Sequence, residues 1–182
     1  RIATFRSIAT HVLPNKLAQF HKRFPGIRLN LAEYDNYHRV EQMLREGQTD
    51  IGITLLPTGK GLTAWEFLKD EDIVLLPPDL KLDNDRLTWP QLAALPLIMP
   101  PVDYIMMRPV YDHINGLGYR LNVVNEIKTD ATIVSLVAQG LGGTILPRLA
   151  AEPIPKAVRV YSLPIPIERR VGIAVLAAAL QP

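Results

Sequence analysis

The stretch Val137-Ala138-Gln139-Gly140-Leu141-Gly142-Gly143-Thr144-Ile145-Leu146-Pro147 constrains this chain more than any other. It reads as a helix end, a glycine turn and a short buried strand. The helix is predicted to start at Thr129-Asp130, a good N-cap pair. Its apolar face is Ile133, Leu136 and Val137, spaced i, i+3, i+4. Gly140 stands where a left-handed C-terminal cap belongs, with Leu141 placed to pack back on the helix. Gly142-Gly143 lets the backbone approach something closely. Thr144 to Leu146 then reads as a strand stopped by Pro147. A helix handed to a strand through glycine is one half of an α/β crossover.

The rest of the chain repeats this unit. Residues 2–5 are predicted as a strand, and Ser7 as the N-cap of a helix with the stripe Leu13, Leu17, Phe20 and Phe24. Pro14 must lie in a first turn or kink that helix. Ile27, Leu29 and Leu31 alternate with polar residues and predict a second strand. Asn36 is the next cap, for a helix over 37–46 that buries Val40, Met43 and Leu44 and is closed by Gly47. A strand over 50–55 follows. This β-α-β-α-β order predicts a parallel sheet with crossover helices. Residues 62–67 and 73–76 read as two strands around an acidic turn at 69–72, and Pro77-Pro78 as a boundary. Thr88 can cap a short helix ending near Leu95. A second run follows: a strand at 97–99, a helix over 104–114, a strand over 121–127, and the helix and strand described first. Pro153 and Pro155 mark another boundary, and strands at 158–160 and 170–175 close the chain. The fold class is therefore α/β: two Rossmann-like lobes with a hinge and a cleft between them. One lobe is residues 1–77 plus 157–182; the other, 78–156, is inserted into it. Closure at a hinge is a usual ligand-binding device for such a module.

Composition narrows the function. The chain has 182 residues, 48% of them hydrophobic, enough to bury a core. Net charge is +2 with both signs interspersed, which is not the footprint of a DNA- or membrane-binding surface. There is no cysteine, so no disulfide, thiolate metal site or cysteine nucleophile; this suits a reducing cytoplasm. No leader or apolar run of transmembrane length is seen. Both ends read as cut, the first in mid-strand and the last at Ala177–Leu180 in something helix-like, as in an excised domain.

Three segments resemble a known family. Leu13-Pro14 with Phe20 and Phe24-Pro25 is similar to the opening of the effector-binding domain of LysR-type transcriptional regulators. Leu44-Arg45-Glu46-Gly47-Gln48-Thr49-Asp50-Ile51-Gly52-Ile53 resembles that family's helix-to-strand element. Leu136 to Pro147 resembles its glycine-rich helix-to-strand segment. The three occur in the family's order and span nearly the whole chain. The family's usual His-Pro-Leu after the fifth strand is replaced by Pro77-Pro78-Asp79-Leu80, its last helix is incomplete, and its N-terminal winged helix-turn-helix is not in these residues. The resemblance implies a periplasmic-binding-protein type II-like fold that takes a small effector between its lobes. It also implies antiparallel homodimers of this domain, homotetramers of a full-length parent, and DNA binding only through the parent's helix-turn-helix.

Three helix starts are expected to face the cleft, at Ser7, at Asn36-Tyr37 and at Thr129-Asp130. A helix N-terminus offers unpaired N–H groups and partial positive charge, worth ~0.3–1 kcal/mol to an anion and about 2 when partly buried. The effector is therefore expected to be a carboxylate, phosphate or other anion. By the resemblance, Ser7 and Thr129 fall where effector-contacting hydroxyls commonly sit, and Tyr37 stands where many relatives carry a threonine. Pro101, Val102 and Tyr104 correspond to the other effector-lining stretch. Arg6 and Arg108 are candidate charge partners, because arginine grips carboxylate or phosphate bidentately. Each has a plainer reading: Ser7, Asn36 and Thr129 as N-caps, Arg6 and Arg108 as surface residues, Tyr104 as core or rim.

Other functions lack parts. The four histidines show no metal-ligand spacing. Ser7, Ser135 and Ser162 are the only serines and none lies in a G-x-S-x-G turn. There is no dinucleotide fingerprint or P-loop. Glu33 and Asp50 make no matched acid and base, and Asp50 is expected to fix the Gly47–Thr49 turn. No cofactor is expected. A stand-alone solute-binding protein of the same architecture is the alternative to a regulator's sensor domain.

Overall fold

The computed structural model describes residues 1–80, 82 and 86–180. In chain order the elements are β1 (Ile2–Phe5), α1 (Arg6–His11), α2 (Leu13–Arg23), β2 (Leu31–Tyr34), α3 (Tyr37–Arg45), β3 (Ile51–Leu55), β4 (Leu62–Leu76), α4 (Trp89–Ala94), β5 (Leu97–Met99), α5 (Arg108–Gly116), β6 (Val123–Glu126), α6 (Asp130–Ala138), β7 (Thr144–Pro147), α7 (Arg148–Ala151), β8 (Arg159–Ser162) and β9 (Glu168–Leu176), with a 3-10 turn at Ala177–Leu180. Two units emerge. The first is Arg1–Asp70 with the chain from Arg169 on; the second is Glu71–Glu168. The chain passes between them inside β4 and again at the start of β9. The prolines at 77, 78, 153 and 155 all lie within the second unit.

In the first unit β1 is flanked by β2 and β3, both parallel to it, and β9 runs antiparallel on the far side of β3. This is the parallel crossover sheet expected from the sequence. Ala3 and Phe5 of β1, Ile53 of β3 and Val171 and Ala174 of β9 meet Ile8, Leu13, Val40 and Leu44 from the helices in its core. The expected long first helix is two helices. Val12 separates α1 from α2, and Pro14 sits in the first turn of α2, where its missing N–H leaves no bond unmade. The strand expected from Ile27, Leu29 and Leu31 is shifted: β2 begins only at Leu31, and Ile27 is exposed. Alternation alone misplaced it, because this edge segment buries little on either face.

β4 is one strand of fifteen residues rather than two strands around an acidic turn. The acids are held in line by partners. Asp70 is ion-paired with Arg169, the Asp72 N–H donates to the Ile167 carbonyl, and Asp72 stands opposite Pro147 of β7.

In the second unit β4 lies between β7 and β8, antiparallel to both, and β5 pairs in parallel with β6. β5, β7 and residues 73–76 of β4 are buried at successive positions because both faces are covered. Val74, Leu76, Leu97, Met99 and Ile145 enter one cluster with Leu92, Met107, Val110 and Ile114 of the α4–α5 side. Ile73, Leu75, Ile98 and Leu146 enter another with Ile133 and Val137 of α6. Thr88 caps α4 with a full capping box, as its sequence predicts. The helix expected to start at Tyr104 starts at Arg108, and β6 is shorter than the expected 121–127.

The glycine segment behaves largely as read. The Leu141 N–H donates to the Leu136 carbonyl and the Gly140 N–H to that of Val137, the bond pair of a Schellman cap, with Gly140 at φ +83°. Leu141 does not pack back; it is 57% exposed. The close approach is to the chain itself. A Cβ on Gly142, at φ +151°, would lie 2.8 Å from the Pro96 carbonyl oxygen. Among the described residues no helix is long and apolar enough to cross a membrane.

Candidate functional site

The first unit's strand order fixes where a ligand can sit on it. From β1 the chain crosses to β2 on one side, then returns past β1 to β3 on the other. Open α/β sheets bind ligands outside the carboxyl ends of the strands at such a reversal. Arg6 and Ser7 follow the carboxyl end of β1, and Asn36 and Tyr37 follow that of β2, so the topology brings these four expected residues to one end of one sheet.

Their roles differ from expectation. Ser7 is not an N-cap. Phe5 holds that position without a side-chain bond, and Ser7 lies inside α1, 6% exposed. Its Oγ accepts a hydrogen bond from Arg169 Nη2 at 2.8 Å. The same guanidinium donates from Nε and Nη2 to Asp70 Oδ2, at 2.9 and 2.6 Å, and lies over the Phe5 ring with Cζ 5.0 Å from its centroid. The side chains of Arg169 and Asp70 are only 11% and 2% exposed. Sequence reasoning missed both residues. They stand 99 positions apart, in no motif, and only the pairing of distant strands joins them. Arg6 is half-buried and engaged in an interaction of its own.

Asn36 is the N-cap expected: its Oδ1 accepts from the Arg39 N–H at 2.9 Å. Its oxygen is thereby committed to α3. The Tyr37 carbonyl accepts from the Thr54 hydroxyl at 3.5 Å, and the Tyr37 ring lies against His38 with centroids 4.2 Å apart. Asp50 does not fix the Gly47–Thr49 turn, whose N–H groups go to Leu44 and Met43 carbonyls. Its carboxylate takes the Arg1 guanidinium at 2.7 Å, and that hydrogen bond holds its pKa well below the usual carboxylate range.

In the second unit the carboxyl ends of the parallel strands β5 and β6 lead into Pro100-Pro101 and toward Thr129. The turn after β5 is anchored. The Tyr111 hydroxyl donates to the Pro100 carbonyl at 2.9 Å, and the Tyr104 N–H donates to that of Pro101 at 2.8 Å. Burial, with the Glu126 carboxylate adding to it, pushes the Tyr111 phenol up to about 12. Pro101 is half-buried, Val102 is 59% exposed, and Tyr104 packs partly against the α5-side cluster. Thr129 holds the N-cap position of α6 with its carbonyl, which accepts from Thr132 and Ile133, while its hydroxyl makes no cap bond. Asp130 puts a negative charge of its own in the first turn of α6. That carboxylate offsets the partial positive charge expected to draw an anion to Thr129. Arg108 opens α5 at the surface, 73% exposed, 3.6 Å from Asp112 one turn on. Among the described residues no three His, Asp or Glu side chains are grouped to hold a metal.

Comparison with known proteins follows this geometry closely. Residues 1–182 match the model of the LysR substrate binding domain. A probable HTH-type transcriptional regulator, LrrA of Synechococcus elongatus, is 50% identical over all 182 residues, which cover 61% of that protein. The chain thus spans less than two thirds of the curated relatives it matches. The regulatory domain of Synechocystis PCC6803 CcmR, solved in complex with 2-PG, superposes with a TM-score of 0.84 at 21% identity, covering 97% of this chain and 86% of that one. The effector binding domain of QuiR, solved with shikimate, gives 0.79 at 18% identity, covering 97% and 86%. The fold is therefore the one the sequence predicted, the mixed α/β fold of LysR effector-binding domains, and the family is one of binding domains rather than catalysts. The chain belongs to the LysR substrate binding domain family.

Proposed function

We propose that this chain is the sensing domain of a transcription regulator, and that it takes a small anionic metabolite as effector. The observation that carries the reading is identity of 50%, over all 182 residues of this chain, to a protein named as a probable HTH-type regulator. The class of effector rests on chemistry and on two neighbours. Ser7 offers a buried hydroxyl at the carboxyl end of β1, and the first turn of α3 holds no acid to repel an anion. CcmR was solved with 2-PG and QuiR with shikimate. Ser7 and Tyr37 are the contacts proposed on the first unit, with Arg6 beside them and Asn36 shaping the helix start. On the second unit Pro101, Val102 and Thr129 are proposed contacts. Tyr104 and Arg108 are weaker ones, the first packed on its core and the second paired with Asp112.

DNA binding belongs, in this reading, to a helix-turn-helix domain outside these residues, and the parent works in the cytoplasm. Self-association is proposed through the α2–β2 side, where Phe24 is exposed and Ile27 and Leu31 line a groove of about 690 Å³. An effector signals only by binding one arrangement of the protein better than another.

A thermal-shift series with 2-PG, shikimate, other small carboxylates, phosphorylated acids and inorganic anions tests the proposal. A ligand at 100 times its Kd adds ~2.7 kcal/mol, a clear rise in Tm. A hit abolished in Ser7→Ala and weakened in Thr129→Ala is the expected result. A panel in which only neutral or aromatic compounds raise Tm, or hits indifferent to both variants, would overturn the effector class or the site.

A further inference from the structure

We infer that Arg169 is a positioning residue for effector recognition, turning the Ser7 proton away from itself and tying that hydroxyl to the two strands along which the chain passes between units. This rests on the reading of Ser7 as an effector contact.

The first half follows from hydrogen-bond inventory. A serine hydroxyl has one proton and two lone pairs. The Ser7 oxygen accepts from Arg169, a group with no acceptor capacity, so the Ser7 proton points elsewhere. Whatever meets the Ser7 proton is then an acceptor: a carboxylate, phosphate or carbonyl oxygen. The charge of Arg169 is already balanced by Asp70, which takes Nε and Nη2. A charge-assisted bond from a neutralised arginine polarises the hydroxyl and fixes its rotamer without leaving a lone buried cation. The Phe5 ring under the guanidinium holds its plane.

The second half follows from where the pair lies. Asp70 is the last residue of the first unit on β4, and Arg169 is the first on β9. One guanidinium therefore fastens both crossing strands at the unit's boundary and touches the hydroxyl beside them. A ligand that pulls on Ser7 pulls on the same fork that holds β4 to β9. Coupling of this kind needs a physical link between the two places, and this is one made of three side chains.

Hydrogen exchange on the ligand-free chain decides the matter. In Ser7→Ala the amides at 69–72 and 168–171 are expected to exchange at least threefold faster, while those of Ile98, Leu146 and Ile53 keep their rates. In an Arg169→Lys background, which keeps the charge beside Asp70 but loses the fork, adding Ser7→Ala changes nothing further. Should Arg169→Lys not fold, Asp70→Asn takes its place, and the Ser7→Ala effect must then vanish on 69–72 and persist on 168–171. Unchanged rates in Ser7→Ala, a uniform acceleration of every amide, or an undiminished Ser7→Ala effect in either background would overturn the inference. The thermal-shift series with 2-PG and shikimate on the unaltered chain reads the effector proposal separately. Failure there leaves the exchange result standing, and loss of the exchange coupling leaves any ligand hit standing.

Discussion

Gly142→Ala is expected to destabilise the second unit far more than Gly140→Ala, though the two glycines are two positions apart in one turn. Both have positive φ, +83° at Gly140 and +151° at Gly142. At Gly140 an added Cβ meets nothing within 4 Å, so alanine costs only the left-handed backbone, about 1–2 kcal/mol. At Gly142 the φ is one that essentially only glycine adopts, costing about 1–3 kcal/mol. The new methyl would also lie 2.8 Å from the Pro96 carbonyl oxygen and 3.3 Å from Ile98 Cγ1. The first neighbour is backbone and cannot rotate away. It is also the acceptor of the Gly143 N–H at 2.9 Å, so moving it breaks a bond that fixes the turn to β5. Overpacking of that kind adds about 1–3 kcal/mol. The sum is about 2–6 kcal/mol, against about 5–15 kcal/mol for a whole domain. At about 2–4 °C per kcal/mol for a chain of this size, Gly142→Ala lowers Tm by about 4–24 °C and Gly140→Ala by about 2–8 °C. Differential scanning calorimetry of the two variants side by side is the assay. Equal shifts, or a larger one at Gly140, would refute the argument that Gly142 is kept for its contact with Pro96.

Tyr111 makes stability depend on alkaline pH. Its folded pKa, about 12, lies above the ordinary tyrosine value, so the folded state holds the proton longer and stability falls as pH rises from about 10 through 12; Tyr111→Phe should flatten that fall in denaturant titrations at successive pH values, and an unchanged slope would contradict it. Asn36→Ala removes the oxygen that caps the Arg39 N–H and should cost about 1 kcal/mol by urea unfolding; Thr129→Ala, whose hydroxyl makes no cap bond, should cost clearly less. Arg108→Ala breaks only an exposed pair with Asp112 and should leave Tm unchanged in a thermal melt.

Much of the fold was legible because the sequence carries its punctuation. Gly47 and Gly140 end helices where their positive φ requires glycine, and Asn36 and Thr88 begin helices with side-chain caps. These signals act within four residues. What failed was decided at longer range. The acids at 69–72 look like a turn until Arg169, the Ile167 carbonyl and Pro147 supply partners that keep β4 straight. Ile27 to Leu31 alternates like a strand, but its register with β1 begins only where Leu31 stands opposite Ile2. The site shows the same division. Its proposed place, at the carboxyl ends of β1 and β2, follows from element order. The state of Ser7 does not, since it depends on a guanidinium 162 residues away.

The same long-range bonds explain why helix starts alone were a poor guide to chemistry here. Three N-termini were expected to act alike toward an anion. In α3 the cap oxygen of Asn36 already satisfies the Arg39 N–H. In α6 the carboxylate of Asp130 already occupies the charge-favoured first turn. In α1 the hydroxyl of Ser7 is turned by Arg169. Each start therefore offers something different: Tyr37 a half-buried ring beside a finished cap, Thr129 an uncommitted hydroxyl next to a negative charge, and Ser7 an oriented donor in neutral surroundings. A molecule bound beside Ser7 presents an acceptor oxygen to its proton. A small carboxylate should thus bind more tightly than an amine of the same length, which offers that proton no acceptor oxygen. Calorimetric titration with such a matched pair would settle the point, and the reverse order of affinity would mean that the Ser7 proton does not face the bound molecule.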